Sequence, residues 1–154
     1  MIAKMARFDW EIPFIQRETE IYSLLEGNGI APQFLGHIHE QGRIIGILLE
    51  KVMGRHAGIE DLQICYSAVK RLHGLGISHE VCNRYNFIVG INNKATLLDF
   101  ENSTVGASED AMEAETAKLK EVLTETTDRG GGFMPLSNDE TQTELFNQES
   151  SRII

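Results

Sequence analysis

A histidine closing an apolar segment (His79), an asparagine seven residues on (Asn86) and an aspartate ending a later apolar run (Asp99) are the side chains of this 154-residue chain whose types and order could do chemistry. An imidazole titrates near neutrality, and amide and carboxylate oxygens suit a hard cation such as Mg²⁺. Singly, each is a weak signal, because such a histidine is more often a structural hydrogen bonder and an aspartate at a strand end more often caps a loop. Their order carries more. Leu72-His-Gly-Leu-Gly-Ile-Ser-His79 follows a helical pattern. The stretch His79-Glu-Val-Cys-Asn-Arg-Tyr-Asn86 then forms a loop before one strand of a hairpin, and the other strand ends in Leu97-Leu-Asp99-Phe-Glu101. Two other groups carry less. His37 and His39 share a strand face with no third ligand at useful spacing, so they read as packing residues. Cys65 and Cys82 make neither a disulfide framework nor a C-x-x-C site and read as buried thiols.

The ordered motif resembles the protein-kinase-like superfamily, in the form written by small atypical, fungal-type kinase-like proteins: an H-G-D-x-x-x-x-N-F loop, a strand pair, then D-F-E or D-F-D. Upstream, Ile2-Ala-Lys4 is similar to the kinase V-A-I-K strand. Glu18, 14 residues later on the next helix, stands where the resemblance places the glutamate that orients the lysine toward phosphate oxygens. Ile47-Leu-Leu-Glu50-Lys-Val-Met53-Gly54 looks like the last N-lobe strand and hinge. It would put Leu49 at the gatekeeper position and the backbone of Glu50 and Val52 before an adenine. Asn86 and Asp99 would hold Mg²⁺, with His79 in support, so the resemblance implies weak binding of ATP with Mg²⁺.

Three departures count against phosphotransfer. The catalytic aspartate position, two residues after His79, is Val81, which cannot accept a proton; general-base help of this kind is worth about 10²- to 10⁴-fold. Glu80 is the nearest carboxylate, but a neighbouring residue in an extended loop points the other way. No G-x-G-x-x-G phosphate loop occurs, and Gly130-Gly-Gly132 lacks its pattern and context. No A-P-E follows Asp99-Phe-Glu101, and the chain is too short for a large peptide-binding C-lobe.

Stepping outward to the elements, apolar periodicity predicts a strand over 1–8, a helix over 14–26 carried by Ile15, Ile21, Leu24 and Leu25, and two strands within 30–41 and 43–52 joined at Gln41-Gly42. A helix over 59–73 follows, with Leu62, Cys65, Tyr66, Val69 and Leu72 on one face. A hairpin of 87–89 and 95–100 turns through 90–94. A Ser108-capped helix with Met112, Leu119, Val122 and Leu123 on one side is expected to close at Gly130–Gly132. The fold class expected is α+β and kinase-like. It comprises a truncated kinase-like domain over 1–130 (N-lobe remnant 1–53, an antiparallel sheet plus helix; mainly helical C-lobe remnant 54–130) and a flexible polar tail over 131–154.

Composition fits one soluble intracellular, cytoplasmic domain. The net charge is −9, of which −7 falls in 102–154, so attraction to nucleic acid is not expected. The longest apolar run, Ile44 to Leu49, is far short of the roughly 20 residues that cross a bilayer, and the N-terminus lacks a signal peptide's apolar stretch. The leading expectation is a pseudokinase that acts by binding or regulation. The rivals are an active minimal ATP-dependent phosphotransferase, on a protein or a small molecule, and a truncated non-functional gene product. An exposed sheet edge would favour an unidentified protein partner or self-association.

Overall fold

Strand propensity and a two-residue turn organise the first sheet. In the computed structural model, which describes residues 1–80 and 82–125, β1 (Ile2–Met5), β2 (Phe34–Glu40) and β3 (Arg43–Leu49) form an antiparallel sheet in the order β1-β3-β2. Glu40 pairs with Arg43 across Gln41 and Gly42, both at positive φ, the backbone of a type I′ hairpin whose twist matches its strands. Lys4 pairs with Ile47 in the β1–β3 register. Side chains of directly paired residues share a face, so Lys4 lies on the side of the fully buried Ile47.

Helix α1 (Ile12–Leu25) packs on β3. It starts earlier than the apolar spacing suggests because Pro13 falls in its first turn, where no backbone N–H is needed. Its buried stripe is Ile15, Glu18, Ile21, Tyr22 and Leu25; Leu24, expected inside, is 51% exposed. A glutamate thus occupies the middle of an otherwise apolar stripe.

The second half combines two helices with two small antiparallel sheets: β4 (Arg55–His56), β6 (Phe87–Val89) and β7 (Ala95–Leu97) in the order β4-β6-β7, and β5 (Ile77–Ser78) with β8 (Thr104–Val105). The strands β4, β5 and β8 have two residues each, too short to show a period. Helix α2 (Leu62–His73) follows a 3₁₀ turn over Ile59–Asp61 and buries Cys65, Ala68, Val69 and Leu72. Tyr66, expected on that face, is exposed. Helix α3 (Glu109–Thr124) begins at Ser108, whose hydroxyl accepts from the Ala111 N–H at 3.2 Å, and docks Leu119 and Leu123. It stops at Thr124, before the expected glycines, since Glu125 is already extended. Gly130–Gly132 and the 131–154 tail lie outside the described residues, as does Val81. One apolar cluster runs through both halves, from Ile15, Tyr22 and Ile47 to Leu72, Phe87, Phe100 and Leu119. The chain is therefore a mixed α+β structure. Among the described residues, no helix is long and apolar enough to cross a membrane.

Candidate functional site

Lys4 reaches from β1 to the turn after β7. Its Nζ lies 2.8 Å from Glu18 Oε2, 2.6 Å from Asp99 Oδ1 and 3.0 Å from Glu101 Oε2. The approach to Glu18 is an ion pair rather than a well-directed hydrogen bond. Glu18 Oε1 also accepts the Phe100 N–H at 3.2 Å, so one buried carboxylate ties α1 to both β1 and the 99–101 segment. That segment is further fixed by Phe100, which is fully buried, packs edge-on against Tyr22 (5.5 Å between ring centres) and meets the His79 ring at a tilt (5.2 Å). Asp99 itself has φ +66°, a left-handed conformation that aspartate tolerates better than most residues.

Burial works against the Lys4 charge, but Glu18 and Asp99 outweigh it and hold the ammonium above the ordinary lysine range. Burial likewise pushes the Glu18 carboxyl up, and the Lys4 charge offsets this only in part. Tyr22 is raised by its burial, and the nearby carboxylates add to it. Lys4 with Glu18, Asp99 and Glu101, all ionised, carries a formal charge of −2.

His79, Glu80 and Asn86 are each held by hydrogen bonds. His79 Nε2 lies 2.8 Å from the Leu98 carbonyl, and burial holds its imidazole below the usual range. Asn86 is buried; its Oδ1 accepts from the Asn83 N–H at 2.9 Å and its carbonyl accepts from the Leu98 N–H at 2.8 Å. This last bond holds Asn86 one residue from Asp99. Glu80 is not in an extended loop: it has φ +72°, and its carboxylate accepts from the Ser78 hydroxyl at 2.6 Å. The strand alternation expected to turn it aside therefore does not apply, because Glu80 sits in a left-handed turn.

In the segment expected to serve as a hinge, Leu49 is buried and Val52 half-buried. The Glu50 N–H donates to Gln33 O at 2.9 Å. A cavity of about 480 Å³ lined by Tyr22, Pro32, Gln33, Phe34 and Glu50, among others, touches this segment without reaching Lys4 or Asp99.

Glu115 of α3 went unnoticed in the sequence. It accepts from the His79 N–H (3.2 Å) and the Glu80 N–H (2.8 Å), lies 2.6 Å from His73 Nε2, and takes a weak bond from the Cys82 thiol (3.8 Å). An acidic residue amid a polar helix gives no local sign of such a role. Cys65 is buried with its thiol pushed up to about 12, and the thiol of half-buried Cys82 is also raised by burial. His37 and His39 stand with ring centres 6.3 Å apart on β2. In comparisons with known proteins, no family model matches the chain and no curated protein does.

Proposed function

We propose that the chain is a kinase-like nucleotide-binding protein, a pseudokinase that binds ATP with Mg²⁺ weakly and acts through binding or regulation. The observation that supports this best is the meeting of Lys4, Glu18 and Asp99 at one point, although Lys4 and Asp99 are 95 residues apart in sequence. An amine steadied by a buried glutamate, next to an acidic residue and within one residue of a held asparagine, has the parts that grip a metal-bound polyphosphate. In this reading Mg²⁺ would be held by Asp99 and Asn86, freeing Lys4 for the phosphates. The Glu50 carbonyl and the Val52 backbone would meet the adenine. Val81 offers no proton acceptor, so transfer is impaired.

The sheet edges β1 and β2, with Met5 52% and Leu35 46% exposed, support a role in self-association or in docking a protein partner.

Calorimetry of ATP with and without Mg²⁺ tests the site. The parent chain and Val81→Asp should bind in a Mg²⁺-dependent manner, the variant at least as tightly, and Asp99→Ala should abolish binding in both. Absence of binding in both chains would remove the nucleotide site. ATP turnover by the parent that disappears in Lys4→Ala would replace the pseudokinase with the active phosphotransferase.

A further inference from the structure

A second constellation joins the His79 loop to α3. His79, Cys82 and Glu115 each offer one ligand atom, and these atoms lie within 4.8 Å of one another. His79 is 1% exposed. Because a carbonyl only accepts, the 2.8 Å contact to Leu98 O places the proton on Nε2 and leaves the lone pair on Nδ1. That nitrogen is buried with no hydrogen-bond partner, a lone pair that a metal ion or a water would satisfy. Cys82 is half-buried.

We propose that His79, Cys82 and Glu115 form a Zn²⁺ site that clamps the 79–86 loop onto α3. Imidazole, thiolate and carboxylate together are a donor set that Zn²⁺ accepts and that Mg²⁺ and Ca²⁺ do not favour. The Cys82 thiol releases its proton to solvent as sulfur bonds the metal. Glu115 Oε1 exchanges the weak thiol contact at 3.8 Å for the metal and keeps the Glu80 N–H at 2.8 Å. No group changes oxidation state, and the metal charge is balanced by one thiolate and one carboxylate. A water would fill the fourth position. The orienting partners are already present: Leu98 O on His79, and the His79 N–H with His73 on Glu115, the kind of support that fixes metal ligands. Since Leu98 also binds the Asn86 carbonyl, occupancy would stiffen the loop that holds Asn86, whether or not a nucleotide binds.

The metal-free full chain carrying His37→Ala and His39→Ala, which removes the competing histidine pair, is titrated with Co²⁺ and with Zn²⁺. The expected result is one equivalent bound, a sulfur-to-cobalt charge-transfer band and one proton released. Cys65 is sealed in the core, so the band reports Cys82. Cys82→Ser should lose the band and weaken Zn²⁺ binding by roughly tenfold or more. No band in the parent, or equal Zn²⁺ affinity in a folded Cys82→Ser, would overturn the site and leave Glu115 as a plain anchor for N–H groups. If Cys82→Ser does not fold, the band in the parent decides alone.

Discussion

Replacing Lys4 by methionine keeps the length of the side chain and removes the charge that Glu18, Asp99 and Glu101 surround. Asp99 and Glu101 are 46% and 35% exposed as side chains and can return to water, whereas Glu18 is 1% exposed and cannot. Removing one partner of a buried pair costs about 3–5 kcal/mol, because the remaining charge has no compensation. Glu18 keeps the Phe100 N–H, so a loss of about 3 kcal/mol at neutral pH is expected, or about 10 °C in Tm for a chain of this size. The pH sense follows from Glu18. Its folded pKa is raised by burial above 4.5, so its contribution is fully present below that value and is lost as pH rises through the folded pKa. Without Lys4 that pKa moves further up, and the deficit of Lys4→Met should shrink at about pH 5 as the carboxyl takes a proton. The double variant Lys4→Met, Glu18→Gln, which carries the neutral group permanently, should regain most of the loss at pH 7. Urea denaturation of the parent, Lys4→Met, Glu18→Gln and the double variant at both pH values reads the whole cycle. A Lys4→Met chain as stable as its parent at neutral pH, or a double variant no better than the single, would refute the buried-pair reasoning.

Two further outcomes are expected. A Cβ at Gly54, where the chain passes from the first sheet toward β4, would collide with the Val89 carbonyl, and the backbone cannot yield without parting β4 from β6; Gly54→Ala should cost about 2 kcal/mol or more in thermal or chemical unfolding, and a neutral substitution would contradict that close approach. Met5 packs beside Gly46 on the face of the sheet away from Ile47 and is exposed; if copies associate there, Met5→Glu should shift sedimentation of a concentrated sample toward the monomer, and an unchanged monomer in the parent chain would end the self-association proposal.

The motifs, the order of the long elements and the α+β class were legible in the sequence, because they depend on local period, turn chemistry and spacing. The Gln41-Gly42 turn, the Ser108 cap and the pairing of 87–89 with 95–97 follow from residues within a few positions of one another. The resemblance also pointed to Lys4, Glu18 and Asp99. Their ion pairs, however, depend on β1 lying beside β3 with Lys4 opposite Ile47 and on Phe100 filling the space between Tyr22 and His79. Burial faces were misread where a polar side chain found a partner inside: Glu18 is buried because Lys4 and the Phe100 N–H meet it, and Leu24 is left outside. The two-residue strands form only because distant chain segments dock, since two residues hold too little propensity to form a strand alone. Glu115 shows the division most clearly. Nothing near it in sequence marks it, and it becomes the anchor of the His79 loop only when α3 packs against α2 and β5 and brings its carboxylate to N–H groups more than 30 residues away. A long-range contact is set by the packing of whole elements, and no local pattern encodes which exposed-looking carboxylate that packing will enclose.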